Sequence, residues 1–155
     1  MLSSNLNDCS LRRIELFADD RETSSLRLTI FVWSPHAFSR GSAYFQNRNL
    51  TKFSKKINDC PLKKNEEYDI LGGIYDPDGF TLRRVCVGMS FEQISSNGLL
   101  SMTIRTAQET AIVSDRIFYD SCEHFFCINY EGLRSFSRKL SAMADGLTDR
   151  FLFDE

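Results

Sequence analysis

Alternating apolar and polar positions along most of the chain predict β-strands. The clearest run is Leu26 to Trp33, in which every second side chain is leucine, isoleucine or valine. This period of two is typical of a strand with one buried face. Longer runs with the same period extend from Phe80 to Phe91 and back from Leu99 to Thr106. Shorter strand-like runs are Leu11 to Phe17, Ser42 to Gln46, Tyr68 to Ile74 and Cys122 to Asn129.

Two segments change to the helical period of 3.6. Apolar residues recur at helical spacing from Leu50 to Ile57, with lysines on the other side, and Pro61 prevents that helix from continuing. The second helix, Leu133 to Ala144, follows directly after the strand Cys122 to Asn129. Gly146 stands where a C-cap glycine is expected. We predict that this strand–helix unit organises the fold and that the rest of the chain provides the surface on which it packs.

Turn signals between the strands indicate that hairpins connect most of them. Asp76 to Gly79 carries the Asp-Pro-Asp-Gly pattern of a tight turn, and Asn97-Gly98 is the pair that hairpin turns favour. We therefore predict an α+β fold with a single antiparallel sheet of about six to seven strands and both helices packed on one face. Residues 107–121 fit either a kinked strand or a loop followed by a strand, and we favour the β interpretation.

The length of 155 residues fits one domain, so we predict a single unit over residues 1–155. Residues 1–10 form a lead-in, residues 147–155 dock as a tail, and no internal repeat is evident. The N-terminus has no signal-peptide pattern and no run is long enough to span a bilayer. We therefore expect a cytoplasmic protein without membrane association.

The net charge of −2 and a pI near 5.7 lack the basic footprint of a nucleic-acid-binding protein. We accordingly expect no nucleic acid partner. The five cysteines are odd in number and scattered through apolar runs. This usage predicts buried free thiols rather than a disulfide framework.

The run Cys122 to Cys127 is the only place where cysteine and histidine cluster, which makes it a candidate metal or catalytic site. On a strand, Cys122 and His124 share one face and Cys127 points away, so the three cannot ligate one zinc ion. Cys122 and His124 are also roughly 6.5–7 Å apart along the strand, too far for a hydrogen-bonded dyad. We predict no metal, no cofactor and no catalytic residue, and we interpret His124 as a core or half-buried histidine.

Carboxylates in turns and aromatic side chains on strands are the candidate partner-binding residues. The acidic turns are either simply solvated or pooled into a negative patch for a basic partner. The aromatic residues Phe31, Trp33, Tyr44 and Phe45 lie on neighbouring strands, where they form either core or an exposed binding face. The predicted partner-binding residues are Asp19, Asp20, Trp33, Tyr44, Glu66, Glu67, Asp69, Asp76 and Asp78.

The order of these patterns resembles that of small uncharacterised bacterial single-domain proteins of the polymorphic-toxin immunity type. The matching pieces are the strand Leu26 to Val32, the helix Leu50 to Ile57, the meander Phe80 to Ile104 and the strand–helix unit Phe125 to Leu140. The resemblance covers residues 25–146 and rests on core-packing patterns, so it transfers no functional residue. It implies a cytoplasmic, non-catalytic inhibitor that binds one toxin domain tightly.

We therefore predict a non-catalytic binding protein, an immunity protein that occludes the active site of a basic toxin domain. The first alternative is a small hydrolase that uses His36 or His124 with a nearby carboxylate. The second is a homodimeric structural or regulatory subunit that pairs through an exposed sheet edge. The sequence leaves the oligomeric state open.

Overall fold

The computed structural model describes residues 12–59 and 61–154, which form eight strands and two helices. The predicted lead-in at residues 1–10 lies outside the described residues, as do Cys9 and Cys60. The elements are β1 (Arg13–Arg21), β2 (Ser25–Ser34), β3 (Ala37–Gln46), α1 (Asn47–Asn58), β4 (Tyr68–Tyr75), β5 (Leu82–Gln93), β6 (Leu100–Val113), β7 (Arg116–Ile128), α2 (Tyr130–Ala144) and β8 (Arg150–Asp154).

The strands form two antiparallel sheets of four. Sheet A has the order β3-β2-β1-β8, and sheet B has the order β4-β5-β6-β7. The α+β class and the antiparallel pairing are confirmed, but the prediction of a single sheet with six to seven strands is wrong. The prediction fails because alternation along a strand shows only which side chains are buried. Which strands pair with each other depends on contacts between residues that are distant in sequence.

The inner faces of the two sheets meet because β3 runs across sheet B. Near one end of β3, the Phe45 ring packs so closely on Gly72 of β4 that a Cβ there would lie 2.6 Å from it. Further along, a Cβ on Gly41 would lie 2.1 Å from the carbonyl oxygen of Cys86 in β5. Ser39, at the far end, contacts β7. The glycines at these crossings permit the close approach of the two backbones.

The predicted strand–helix unit is confirmed as β7 and α2. The Asn129 side chain caps α2 by accepting a hydrogen bond from the backbone N–H of Gly132 at 2.8 Å. At the other end Gly146 has φ of +77°, and the backbone N–H of Leu147 donates to the carbonyl of Ala142 at 2.9 Å. This is the glycine-terminated helix end that the sequence predicts.

The two helices pack against each other as well as against the sheets. Ser137 of α2 donates a 2.7 Å hydrogen bond to the backbone carbonyl of Ser54 in α1, and both serines are buried. Phe136 is fully buried, and its ring meets Phe91 of β5 edge-on at 5.5 Å between centroids. It meets two phenylalanines of β8 at 5.6 and 5.7 Å. One core therefore draws side chains from both helices and both sheets.

The structure also tests the predictions for residues 107–121, for the tail and for the cysteines. Residues 107–121 belong to β6 and β7 except at the turn between them, which confirms the β interpretation. The tail docks, as predicted, and its residues form β8 beside β1. Cys86 is buried and Cys122 half-buried as free thiols, but Cys127 is exposed, so its predicted burial is wrong. No helix in the described part of the chain is long and apolar enough to cross a membrane.

The topology contains an internal repeat. A first unit, β1-β2-β3-α1-β4, has the same order of elements as a second unit, β5-β6-β7-α2-β8. In each unit the fourth strand leaves its own meander and pairs with the first strand of the other unit. The helices also share residues at equal positions, since Leu50, Phe53 and Ser54 recur 83 residues later as Leu133, Phe136 and Ser137. The expectation that the chain has no internal repeat is therefore wrong.

Candidate functional site

The outer side of sheet A carries four aromatic side chains, which we call the aromatic face: Phe17, Phe31, Trp33 and Phe38. Phe31 lies at the centre, with its ring centroid 5.6 Å from Phe17, 5.9 Å from Trp33 and 6.2 Å from Phe38. By strand alternation they point away from the core side, which the buried residues Leu16, Ile30, Val32 and Ala43 face. Phe38 is 57% exposed, so the face is open to a partner.

Arginine side chains surround the aromatic face. The guanidinium groups of Arg13, Arg40 and Arg150 lie 5.9, 5.3 and 5.2 Å from ring centroids of the face, within the range of cation–π attraction. Arg13 is 3.7 Å from a carboxylate oxygen of Asp154, and Arg150 donates a hydrogen bond to Glu15. The charges beside the rings are therefore largely paired within the sheet.

A polar network continues the same side of sheet A beyond the rings. Asp19 accepts hydrogen bonds from Arg27 Nε and from the Thr29 hydroxyl, both at 2.8 Å. Partial burial alone would raise the pKa of Asp19, but these two hydrogen bonds outweigh it and hold the pKa below its ordinary value. Tyr44 donates to Asp20, and this hydrogen bond is the main cause that raises the pKa of the phenol. The network keeps Asp19 ionised and Tyr44 protonated near neutral pH.

The structure places four of the predicted partner-binding residues on this one side of sheet A. Trp33 belongs to the aromatic face, while Asp19, Asp20 and Tyr44 belong to the polar network. Phe45, which the sequence grouped with these aromatics, instead points into the core. The period-two pattern contains the reason, because Phe45 and Tyr44 are neighbours and must face opposite ways.

Three other predicted residues line a polar groove of about 420 Å³ at the start of β4: Glu66, Glu67 and Asp69. Glu66 accepts a hydrogen bond from the hydroxyl of Tyr68 at 2.9 Å. It also lies 3.8 Å from Lys56, whose ammonium group donates to the backbone carbonyl of Glu67. Glu66 is thus engaged in fixing the segment that leads into β4.

The last two predicted residues, Asp76 and Asp78, lie in the turn between β4 and β5. Asp78 accepts hydrogen bonds from the backbone N–H groups of Phe80 and Thr81 at 2.8 and 2.9 Å. The hydroxyl and backbone of Thr81 are the main causes that lower the pKa of Asp78. These contacts are the turn chemistry that the sequence offered as the structural interpretation. Asp76 and Asp78 therefore belong to the turn of sheet B and, unlike Asp19 and Asp20, not to the polar network beside the aromatic face.

Two members of the aromatic face, Phe17 and Phe38, were not predicted. Phe17 lies one residue beyond the buried Leu16 in β1, so alternation carries a signal that it points outwards. Phe38 follows Pro35 and His36, which indicated a loop, yet β3 already begins at Ala37. A longer β3 is what brings Phe38 beside Trp33, with ring centroids 5.3 Å apart.

The two histidines lie in different settings. His36 is exposed in the turn between β2 and β3. His124 is only 6% exposed, and its Nε2 lies 2.8 Å from the hydroxyl of Ser39, which confirms the expectation of a core histidine. Burial first, and then the nearby Arg12, lower the pKa of His124, so the ring is neutral at neutral pH. Within residues 12–59 and 61–154, no carboxylate hydrogen-bonds to either ring, and no three metal-ligating side chains converge.

The aromatic face is chemically suited to bury surface rather than to carry out a reaction. A partner that covers the face gains about 25 cal/mol for each Å² of apolar surface removed from water. Phe38 offers most of this surface, because the other three rings are already half-buried. Tryptophan and arginine are also the residues on which binding energy concentrates in protein interfaces.

Comparison of the chain with protein-family models, with curated proteins and with solved structures finds no significant match.

Proposed function

We propose that this protein is a non-catalytic binding protein whose protein partner docks on the aromatic face of sheet A. In its most concrete form the proposal is an immunity protein that neutralises a bacterial toxin domain by covering its active site. The observation that carries it is the cluster around Phe31, in which four rings lie together on the outer side of one sheet, with Phe38 exposed and the other three half-buried. Apolar clusters of this kind on a protein surface are typical of interaction sites.

The charges around the rings favour a protein over a polyanion. Of the three arginines beside the rings, Arg13 and Arg150 each pair with a carboxylate of the same sheet, whereas Arg40 lies over the Phe31 ring. In the polar network Arg27 pairs with Asp19, so most of these charges are already balanced. Affinity for a nucleic acid backbone depends on cations that replace its counterions. A protein partner instead gains from desolvated aromatic rings with a rim of satisfied polar groups, which the polar network provides. The net charge of −2 speeds the encounter with a basic toxin domain.

Substitution of the aromatic face provides the test. We expect Trp33→Ala and Phe38→Ala each to weaken binding of the toxin domain encoded beside this chain by at least about 30-fold, because each removes an aromatic ring that packs on the central Phe31. Isothermal titration gives the affinity, and survival of toxin-expressing cells gives the protection. Both substitutions lie on an outer face, so circular dichroism should show an unchanged fold.

Phe125→Ala is the matched control. Phe125 lies on the outer side of sheet B and is 61% exposed, close to the 57% of Phe38. We expect it to leave affinity and protection unchanged. An equal loss in Phe125→Ala, or a wild-type chain that neither binds nor protects, would contradict the proposal.

One observation favours a hydrolase as the second candidate function. Ser39 and His124 lie within hydrogen-bond distance, the arrangement of a nucleophile and its base. Among the described residues, no carboxylate hydrogen-bonds to His124. Besides burial, the charged group that lowers the pKa of this histidine is Arg12. Ser39→Ala separates the candidates, because it abolishes the activity of a hydrolase and leaves partner binding on sheet A unchanged.

A further inference from the structure

Strands β6 and β7 continue beyond the rest of sheet B as a two-stranded ribbon, residues 107–121. The last pair between β5 and β6 is Val87 with Thr106, whereas β6 and β7 remain paired as far as Val113 with Arg116. The equivalent hairpin of the first unit is shorter, since β2 and β3 have 10 residues each and β6 and β7 have 14 and 13. The ribbon is therefore an extension specific to the second unit.

The tip of the ribbon is apolar on both faces. Ile112, Val113, Ile117 and Phe118 are between 49% and 65% exposed. Ile112 pairs with Ile117 across the ribbon, and Phe118 pairs with Ala111, so neighbouring pairs point to opposite sides. A projecting ribbon with large apolar side chains on both faces invites association, which sheet proteins otherwise suppress at such edges.

The ribbon is held in shape before any partner arrives. Ser114 and Asp115 both have positive φ, 50° and 62°, the backbone of the tight turn whose twist matches that of the two strands. At its base, the Arg84 guanidinium lies 4.1 Å from the centroid of the Tyr119 ring. Insertion of a preformed element loses less conformational entropy than ordering of a flexible loop.

Charge identifies the kind of partner. The ribbon carries Glu109, Asp115 and Asp120 against the single cation Arg116, so its net charge of −2 equals that of the whole chain. Carboxylates around an apolar tip repel phosphate groups and attract lysine and arginine. We propose that the ribbon inserts into an apolar cleft with a basic rim on a protein partner. The inference rests on the proposed function only in taking the partner to be a protein, and it adds a contact surface outside the aromatic face.

Site-specific photo-cross-linking in the cells that make this chain tests the insertion. A benzoylphenylalanine at position 117 of the full chain should give one adduct with another protein, and the linked peptide should contain apolar residues flanked by lysine or arginine. The same probe at position 147, where Leu147 is 80% exposed after α2, should not give this adduct. The triple variant Glu109→Gln, Asp115→Asn and Asp120→Asn should lower the adduct yield at least tenfold.

Three results would overturn the inference: no adduct at position 117, an adduct with a second copy of this chain, or a yield that the triple variant leaves unchanged. The two proposals also fail separately. If the protein linked at position 117 binds Trp33→Ala and Phe38→Ala as tightly as wild type, the aromatic face is not its docking site and the ribbon stands. If those variants lose binding and position 117 gives no adduct, the ribbon alone is excluded.

Discussion

The two units of the chain can be compared position by position. Leu26 pairs with Phe45 in the first unit, and Leu100 pairs with Ile128 at the equivalent place in the second. This register makes Arg105 and Ala107 the equivalents of Phe31 and Trp33, and Ser121 the equivalent of Phe38. The outer side of sheet B thus lacks the aromatic cluster that sheet A carries, although the two helices bury the same leucine, phenylalanine and serine at equal positions.

The two units show which positions must keep the same residue for the core to pack and which positions are free to vary. Shared residues are those that the helices bury, because any change there disturbs a core built from both units. The outer side of sheet A and the ribbon also differ between the units, and there a substitution meets only solvent or a partner. The two surfaces proposed for binding are therefore both features of one unit that the other unit lacks.

The largest expected effect comes from the phenylalanines at the seventh position of each helix. Phe136 meets three rings and is fully buried, whereas Phe53 meets one ring, Phe91, at 6.1 Å. We expect Phe136→Ala to lower the free energy of unfolding by about 4–5 kcal/mol and Phe53→Ala by about 3 kcal/mol. Urea unfolding measures both, and Phe136→Leu is the variant to use if the alanine form does not fold. Equal losses would show that both units contribute alike to the core.

The same comparison shows how far the sequence predicts this fold. The buried face of β2, the unit of β7 with α2 and both amphipathic helices follow from periodicity, because each is a local pattern. The division into two sheets does not follow, since β4 and β8 could pair with any edge. Even so, the recurring Leu-x-x-Phe-Ser of the helices was a visible signal of the repeat.

The candidate site was predictable to a similar extent. Trp33 and Phe31 share an outward face by alternation, and Tyr44 must oppose the buried Phe45. Phe38 escaped prediction because Pro35 indicated a long loop, and the acidic turns misled because their contacts are local. A pattern gives the side of a sheet on which a residue lies, but only the register shows which residues become neighbours.

A smaller effect should appear at the equivalent positions 41 and 124. Gly41 permits the approach of β5, whereas His124 fills the space and contacts Ser39. Because the pKa of His124 is lowered on folding from its ordinary 6.5, the unfolded chain binds the proton that the folded chain refuses. Stability should therefore fall as the pH drops below about 6.5, by at most about 1.4 kcal/mol per pH unit for this group.

Urea unfolding between about pH 5 and pH 7 checks this dependence. His124→Phe should remove this part of the pH dependence. The free energy of unfolding of wild type should therefore fall relative to that of the variant as the pH drops from about 7 to about 5. Ser39→Ala is the control that should keep the dependence, because burial and Arg12 cause the pKa shift. A constant difference between wild type and His124→Phe over this range would contradict the prediction.

The smallest effect is expected at the serines where the helices cross. Ser137 donates to the backbone carbonyl of Ser54, but the buried hydroxyl of Ser54 has no partner among the residues that the structure describes. We expect Ser137→Ala to lower the free energy of unfolding by about 1 kcal/mol, because it removes a buried hydrogen bond. Ser54→Ala should be neutral or slightly stabilising, because it removes a desolvated hydroxyl that gains nothing in return. Denaturant unfolding of both single variants and of the double variant measures these effects. If Ser137→Ala and Ser54→Ala lower the free energy of unfolding equally, the two serines contribute alike and the expected asymmetry of the helix crossing is wrong.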